Sequence, residues 1–158
     1  METRHIPKPI RVSKIQLAQM MQPEHANTQG NVHGGWIMKL ADEAGALAST
    51  RHAEHRTVTV AIDRMVFRHP IHIGELVLFN AEVTYAGRTS MEVEVRVTAE
   101  NPITGVQVET NTAYFVYVAV DENGDPAIIP PLLIETPEEE SRFIAAKERQ
   151  RKRLEQKD

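Results

Sequence analysis

The sequence predicts an α+β domain in which a largely antiparallel sheet is laid against one long helix. Three observations lead there. β-rich runs follow one another from residue 56 to residue 120, with short connections marked by breakers. A helical segment of small and apolar residues precedes them at 34–53. The composition, 41% hydrophobic and 25% charged over 158 residues, is that of a folded chain of single-domain size.

Each element has its own warrant. Ser13 to Met21 reads as an additional strand. Gly34 to Ala53 sets Ile37, Leu40, Ala41, Ala44, Leu47 and Ala48 on one stripe at helical spacing. The opposite side gathers Met38, Asp42, Gly45, Ala46 and Ser49, small or apolar apart from one carboxylate, so both faces are expected to be covered. A mid-helix glycine costs about 1 kcal/mol against alanine, which makes Gly45 a point of close approach by a neighbour. Arg56 to Phe67 begins as a strand with Val58, Val60 and Ile62 on one face and Thr57, Thr59 and Ala61 on the other. Glu75 to Tyr85 follows. In Ser90 to Thr98, Met91, Val93, Val95 and Val97 alternate with Glu92, Glu94 and Arg96, the pattern of a strand with one buried and one solvated face. Val106 to Val120 is rich in Val, Thr and Tyr and suits a strand near the sheet centre. Last, Thr136-Pro137-Glu138-Glu139 opens a charged helix with a Thr cap, proline at its first position and Glu139 closing a capping box. Most of that helix is expected to be solvated.

Charge narrows the function classes. With 18 basic and 22 acidic residues the formal net charge is −4, which argues against a nucleic-acid partner. No apolar run reaches the ~18 residues of a membrane span, and Arg4, Lys8 and Arg11 have no hydrophobic stretch behind them to make a secretory signal. A cytoplasmic setting without membrane attachment is expected. There is no cysteine, hence no thiolate nucleophile, disulfide or thiolate metal site. The pairs His52/His55 and His69/His72 lack a clear third ligand, so no metal site is expected.

The chemistry concentrates between Met20 and Glu43. From Pro23 to Gly34 the loop carries His25, Asn27, Thr28, Gln29, Asn31 and His33 around a single large aliphatic residue, Val32. It is either a surface connection or the wall of a site. Gly34-Gly35 then opens the helix, where outward amides and a partial positive charge suit an oxyanion or phosphate; a plain glycine-rich entry turn is the alternative. Asp42, two turns on, is either the partner of Lys39 or Arg51 or a desolvated base or nucleophile. His25 and His33 are placed by their loop to meet a substrate. Arg64 and Arg68 interrupt an apolar run and are candidate phosphate contacts.

Taken together, the run PEHANTQGNVHGGWIMKLADE, then VTVAIDRMVFRHPIHIGE, the turn AGRTS, and AYFVYVAVDENG with its proline-rich exit resemble the hotdog-fold acyl-CoA thioesterases. The branch is the one found as single-domain bacterial enzymes and as tandem-domain animal cytosolic enzymes. The resemblance covers about residues 12–131, leaving 1–11 as an N-terminal extension and 132–158 as the charged C-terminal helix. It implies a hotdog fold, a curved antiparallel sheet wrapped around one central helix. It also implies that Asn27 and Asp42 are the catalytic pair, and that Gly87, Arg88, Thr89 and Ser90 lie in the turn that holds coenzyme A. Two such units pair edge to edge with active sites at their junction. A homodimer is then the minimum and a trimer of dimers the expected assembly.

The implied reaction is hydrolysis of acyl-CoA, with Gly34 or Gly35 amides on the oxyanion. Asp42 acts as general base or nucleophile, and Asn27 orients water or substrate. Coenzyme A belongs to the substrate, and no cofactor is called for. The acyl chain is expected near Trp36, Met38 or Met65. A non-catalytic acyl-CoA-binding sensor is the alternative, though such a sensor would normally carry an output domain and 158 residues leave none for DNA. A hotdog hydratase or dehydratase would want a histidine where Asn27 stands.

Overall fold

The computed structural model describes residues 5–156. The outermost residues of the expected extension and tail, 1–4 (with Arg4) and 157–158, lie outside them. In chain order the elements are β1 (Lys8–Pro9), β2 (Ile15–Met20), α1 (Gly34–Ala53), β3 (Arg56–Asp63), β4 (Leu76–Ala86), β5 (Ser90–Glu100), β6 (Gln107–Val120), β7 (Leu132–Leu133) and α2 (Pro137–Glu155). Five strands form one antiparallel sheet in the order β2-β4-β5-β6-β3. It is a curved half-barrel closed around α1, the hotdog architecture. Among the described residues no helix is long and apolar enough to cross a membrane.

Alternation puts one set of side chains from each central strand against the helix. Val77, Phe79, Ala81 and Val83 of β4, Met91, Val93, Val95 and Val97 of β5, and Ala113, Phe115, Tyr117 and Ala119 of β6 are all buried. They meet Ile37, Ala41, Ala44 and Ala48, the expected stripe of α1. Small helix residues let the large strand side chains reach the helix backbone. Burying one Phe or Val of this set contributes roughly 1.5–3 kcal/mol. The stripe is narrower than its spacing suggests, because Leu47 is 48% exposed. Coverage of the second face is partial: Gly45 and Ser49 are buried while Met38 stays open.

The strand runs differ from expectation at two places. β3 stops at Asp63 rather than continuing to Phe67, because Arg64 turns the chain with φ 46°. Within β3 the register shifts between Thr59 and Ala61, so Val60 is a bulge. The bulge reverses the parity after it. Thr57 and Thr59 pair with Ala119 and Tyr117, and Ile62 with Phe115, so these three share a face that simple alternation divides.

The second correction concerns the outer face of β5. Glu92 is 0% and Glu94 6% exposed, not solvated. α2 lies across this face and delivers guanidinium groups to both. Arg149 bonds Glu92 through Nη2 at 2.8 Å and Nε at 3.0 Å, and Arg153 adds a contact at 3.3 Å. Arg142 joins Glu82 and Glu94. Arg149 also stacks on Tyr114, 3.7 Å from its ring centre. A helix of mean solvated character is therefore anchored through its arginines. Its cap also differs in detail: Thr136 Oγ1 accepts the Glu139 amide at 3.1 Å, but the Glu139 carboxylate reaches back to Glu135 N–H, one residue beyond the cap residue of the expected box.

The ends of the hotdog unit are tied together. β1 pairs in parallel with β7, and Lys8 Nζ caps the carbonyl end of α1 at Arg51 (3.0 Å) and His52 (3.1 Å). His52, fully buried, bonds through Nε2 to the Pro130 carbonyl at 2.7 Å.

Candidate active site

The polar loop before α1 is closed by its own hydrogen bonds. Asn27 Oδ1 accepts the amides of Gln29 (2.9 Å) and Asn31 (3.2 Å), an Asx-type closure. Buried His25 accepts the Gln22 amide on Nδ1 at 2.8 Å and meets Trp36 edge-on at 4.7 Å. These contacts leave Asn27 Nδ2 without an acceptor among the described residues. That amide borders a cleft of about 320 Å³ lined by Gly34, Ile37, Phe67, Arg68 and His69 among others.

At the mouth of α1 the two glycines differ. His33 is the cap residue, and its Nδ1 accepts the Gly35 amide at 2.9 Å. The Gly35 N–H is thereby occupied within the chain. Gly34 N–H has no acceptor among the described residues, as expected for the first residue of a helix. A Cβ on Gly34 would sit 3.4 Å from Phe67, an ordinary contact, so the glycine keeps the amide open rather than relieving a clash.

Asp42 lies two turns further along. Its Oδ1 accepts hydrogen bonds from Thr59 Oγ1 at 2.8 Å and Tyr117 Oη at 2.9 Å, and Tyr117 also reaches the Asp42 carbonyl at 3.0 Å. Oδ2 receives no bond from the described residues. Lys39 instead pairs with Glu43 at 2.6 Å, and Arg51 bonds the Lys14 carbonyl at 3.0 Å, so neither is the partner of Asp42. The close approach expected at Gly45 is that of Tyr117: a Cβ there would stand 2.3 Å from the phenol oxygen. Burial, and then the neighbouring Asp42 carboxylate, push the Tyr117 hydroxyl far above its ordinary pKa, so it remains a donor.

The remaining candidates fall into separate stations. Residues 34 and 42 are eight positions apart, about 12 Å along the axis, and the cleft that Asn27 and Gly34 line does not include Asp42 of the same chain. The turn Gly87–Ser90 lies toward the opposite end of α1 from Gly34. There Gly87 N–H donates to Ser90 (2.8 Å), and the carbonyls of Arg88 and Thr89 accept Ile129 (3.0 Å) and Ala119 (2.9 Å) amides. The Arg88 side chain is exposed. Arg64 and Arg68 are exposed and make no ion pair among the described residues. They flank a second cleft of about 590 Å³ with Tyr114 and Arg149, and Arg68 borders both clefts. Of the residues named for an acyl chain, Met65 packs on the core and Trp36 is half-buried by His25. Among the described residues no group of three or more His, Asp or Glu is arranged to hold a metal.

The sequence profile of the Thioesterase superfamily matches residues 29–106. The chain is 36% identical over 141 residues to protein VdlD of Helicobacter pylori, covering 89% of this chain and 80% of that one. The chain belongs to the thioesterase superfamily. It is also 37% identical over 134 residues to the mouse cytosolic acyl coenzyme A thioester hydrolase, covering 80% of this chain but 35% of the mouse protein; the chain thus spans about a third of that relative's length. A solved apo-hexameric acyl-CoA thioesterase superposes with a TM-score of 0.88 at 34% identity, covering 94% of this chain and 97% of that one.

Two residues around Asp42 escaped sequence reasoning. Thr59 was assigned to a strand face and Tyr117 to a central strand; neither was assigned to Asp42. The available signal was Gly45, whose missing side chain marks where an aromatic from the sheet must enter.

Proposed function

We propose that this chain hydrolyses acyl-CoA thioesters to a free acid and coenzyme A, with residues 12–131 as the catalytic unit. The observation that carries the reading is Asp42, a half-buried carboxylate with one oxygen clamped by two hydroxyls and the other unengaged. The helix mouth supplies the complementary electrophilic site. In a site shared by two copies, the Gly34 N–H that acts with Asp42 belongs to the copy that supplies Asn27; at the positive end of its α1 dipole it holds the thioester oxygen and its developing negative charge. As general base, Asp42 takes a proton from water while the water oxygen bonds to the carbonyl carbon. Collapse of the intermediate then breaks the carbon–sulfur bond and the thiolate leaves. As nucleophile, the same carboxylate attacks the carbonyl carbon, the carbon–sulfur bond breaks to release the thiolate, and water then hydrolyses the mixed anhydride to the free acid and the regenerated carboxylate. Asn27 Nδ2 orients the water or the thioester. The free Arg64, Arg68 and Arg88 side chains, with the Gly87–Ser90 turn and His33, hold the phosphorylated carrier.

The separation of Asn27 from Asp42 supports a site made by two copies, Asn27 of one beside Asp42 of the other. β3 is an edge strand whose Val58, Val60 and Ile62 are 47%, 55% and 40% exposed, an apolar edge suited to pairing with its own copy. The hexameric state of the similar solved thioesterase agrees with a trimer of such dimers, and the cytosolic relative in mouse agrees with a cytoplasmic setting.

Thiol release from acyl-CoA esters of increasing chain length tests the reading, run beside Asp42→Ala and Asn27→Ala. Each substitution is expected to lower kcat about a hundredfold or more. Mixed and reassembled, the two inactive variants regain activity, because some dimers then hold one intact site. Acyl-CoA binding without thiol release would convert the assignment to a sensor.

A further inference from the structure

We propose that Tyr117 is a positioning residue that commits Asp42 to react through Oδ2, an inference that rests on the hydrolase reading above. A carboxylate offers about four acceptor directions shared between two oxygens. Here both side-chain donors fall on one of them, Thr59 at 2.8 Å and Tyr117 at 2.9 Å, so Oδ1 is saturated while Oδ2 keeps its lone pairs. Tyr117 does more than add a donor. The same phenol lies 3.0 Å from the Asp42 carbonyl, so its single proton is shared between the side chain and the backbone of residue 42 and holds the two together.

The fold reserves space for this contact. The Tyr117 side chain is fully buried and stacked on Phe115 at 6.2 Å between ring centres, so the hydroxyl has no water to turn toward. It touches α1 only because residue 45 lacks a Cβ; one placed there would stand 2.3 Å from the oxygen and 3.1 Å from Cζ. Glycine is a poor helix former, and its place one turn after Asp42 is accounted for by this approach. Since the hydroxyl stays protonated, its direction of donation is fixed. The consequence is kinetic: the phenol organises the attacking oxygen and makes no contact with substrate.

The test is Tyr117→Phe, which keeps the ring and removes one oxygen, assayed beside Asp42→Ala. We expect kcat to fall about 10- to 100-fold, the scale for a hydrogen bond to a charged group, with KM within about twofold and little change in Tm. Gly45→Ala, which displaces the phenol while leaving its chemistry intact, should lower kcat in the same way. A packing role alone would lower Tm and leave kcat per folded enzyme unchanged. If Asp42→Ala is inactive and Tyr117→Phe turns over at the parent rate, the positioning role is wrong and the hydrolase reading stands. If Asp42→Ala keeps full turnover, the hydrolase mechanism falls first and this inference with it.

Discussion

Replacing Arg149 by methionine tests whether the outer face of the sheet is held by charge or by shape. Glu92 has 0% side-chain exposure and Arg149 25%, and the two are joined by paired bonds of 2.8 and 3.0 Å. Removing one member of a buried pair costs ~3–5 kcal/mol, chiefly because the other charge is stranded. Two features reduce that here. Arg149 is partly hydrated already, and Arg153 remains 3.3 Å from the same carboxylate, with Thr84 at 2.7 Å. We therefore expect a loss of about 2–3 kcal/mol, or a Tm lower by roughly 5–10 °C. Urea unfolding followed by far-UV circular dichroism, at one protein concentration, measures it. The double variant Glu92→Met/Arg149→Met should return to within about 1 kcal/mol of the parent, since Arg153 keeps its bond to Asp63 at 2.8 Å and no buried charge is left unpaired. A single variant within about 0.5 kcal/mol of the parent would refute the account, as would a double variant no better than the single one.

Two further outcomes follow from the same geometry. Burial, opposed by the bond to Pro130, holds the His52 pKa below its ordinary value. The unfolded chain therefore takes up a proton near pH 6.5 that the folded chain refuses, and stability falls as pH drops through that point. In His52→Gln, which retains an N–H donor, urea midpoints at pH 7.5, 6 and 5 should decline less steeply; equal slopes would exclude His52 as the source. On the β3 edge, Val60→Lys is expected to shift the assembly toward monomer in sedimentation and to reduce thiol release by about tenfold or more, with the circular dichroism spectrum retained. An active monomer would contradict the shared site.

How far the sequence could be read depends on where each residue's partner lies. α1 was legible to its ends because its stripe, glycine entry and β-rich continuation are all local. The strands from residues 56 and 90 were likewise set by alternation within a few residues, and those at 75–85 and 106–120 by β-rich composition. Parity failed in β3, where Val60 bulges and Arg64 turns with φ 46°, since neither event leaves a signature in hydropathy. It failed for Glu92 and Glu94 because their counter-charges come from α2, and alternation cannot distinguish a paired acid from a hydrated one. Members of the candidate site were marked locally, Asn27 by a polar loop, Gly34 by a glycine entry and Asp42 as a lone carboxylate on a crowded helix face, while the pairing of Asn27 with Asp42 came from the resemblance. The site's organisation was not legible. The His33 ring claims the Gly35 amide through a local bond that residue types alone do not announce. Tyr117 reaches Asp42 across 75 residues.

The pairing of strand acids with helix arginines also has a bearing on synthesis. Glu92 is separated from Arg149 by 57 residues and from Arg153 by 61. While a ribosome is still making the intervening chain, the middle strand carries carboxylates whose neutralising groups do not yet exist. The hairpins can zip early, but their convex side must stay hydrated until α2 emerges, so a helix made after the sheet is the one that neutralises the sheet's centre.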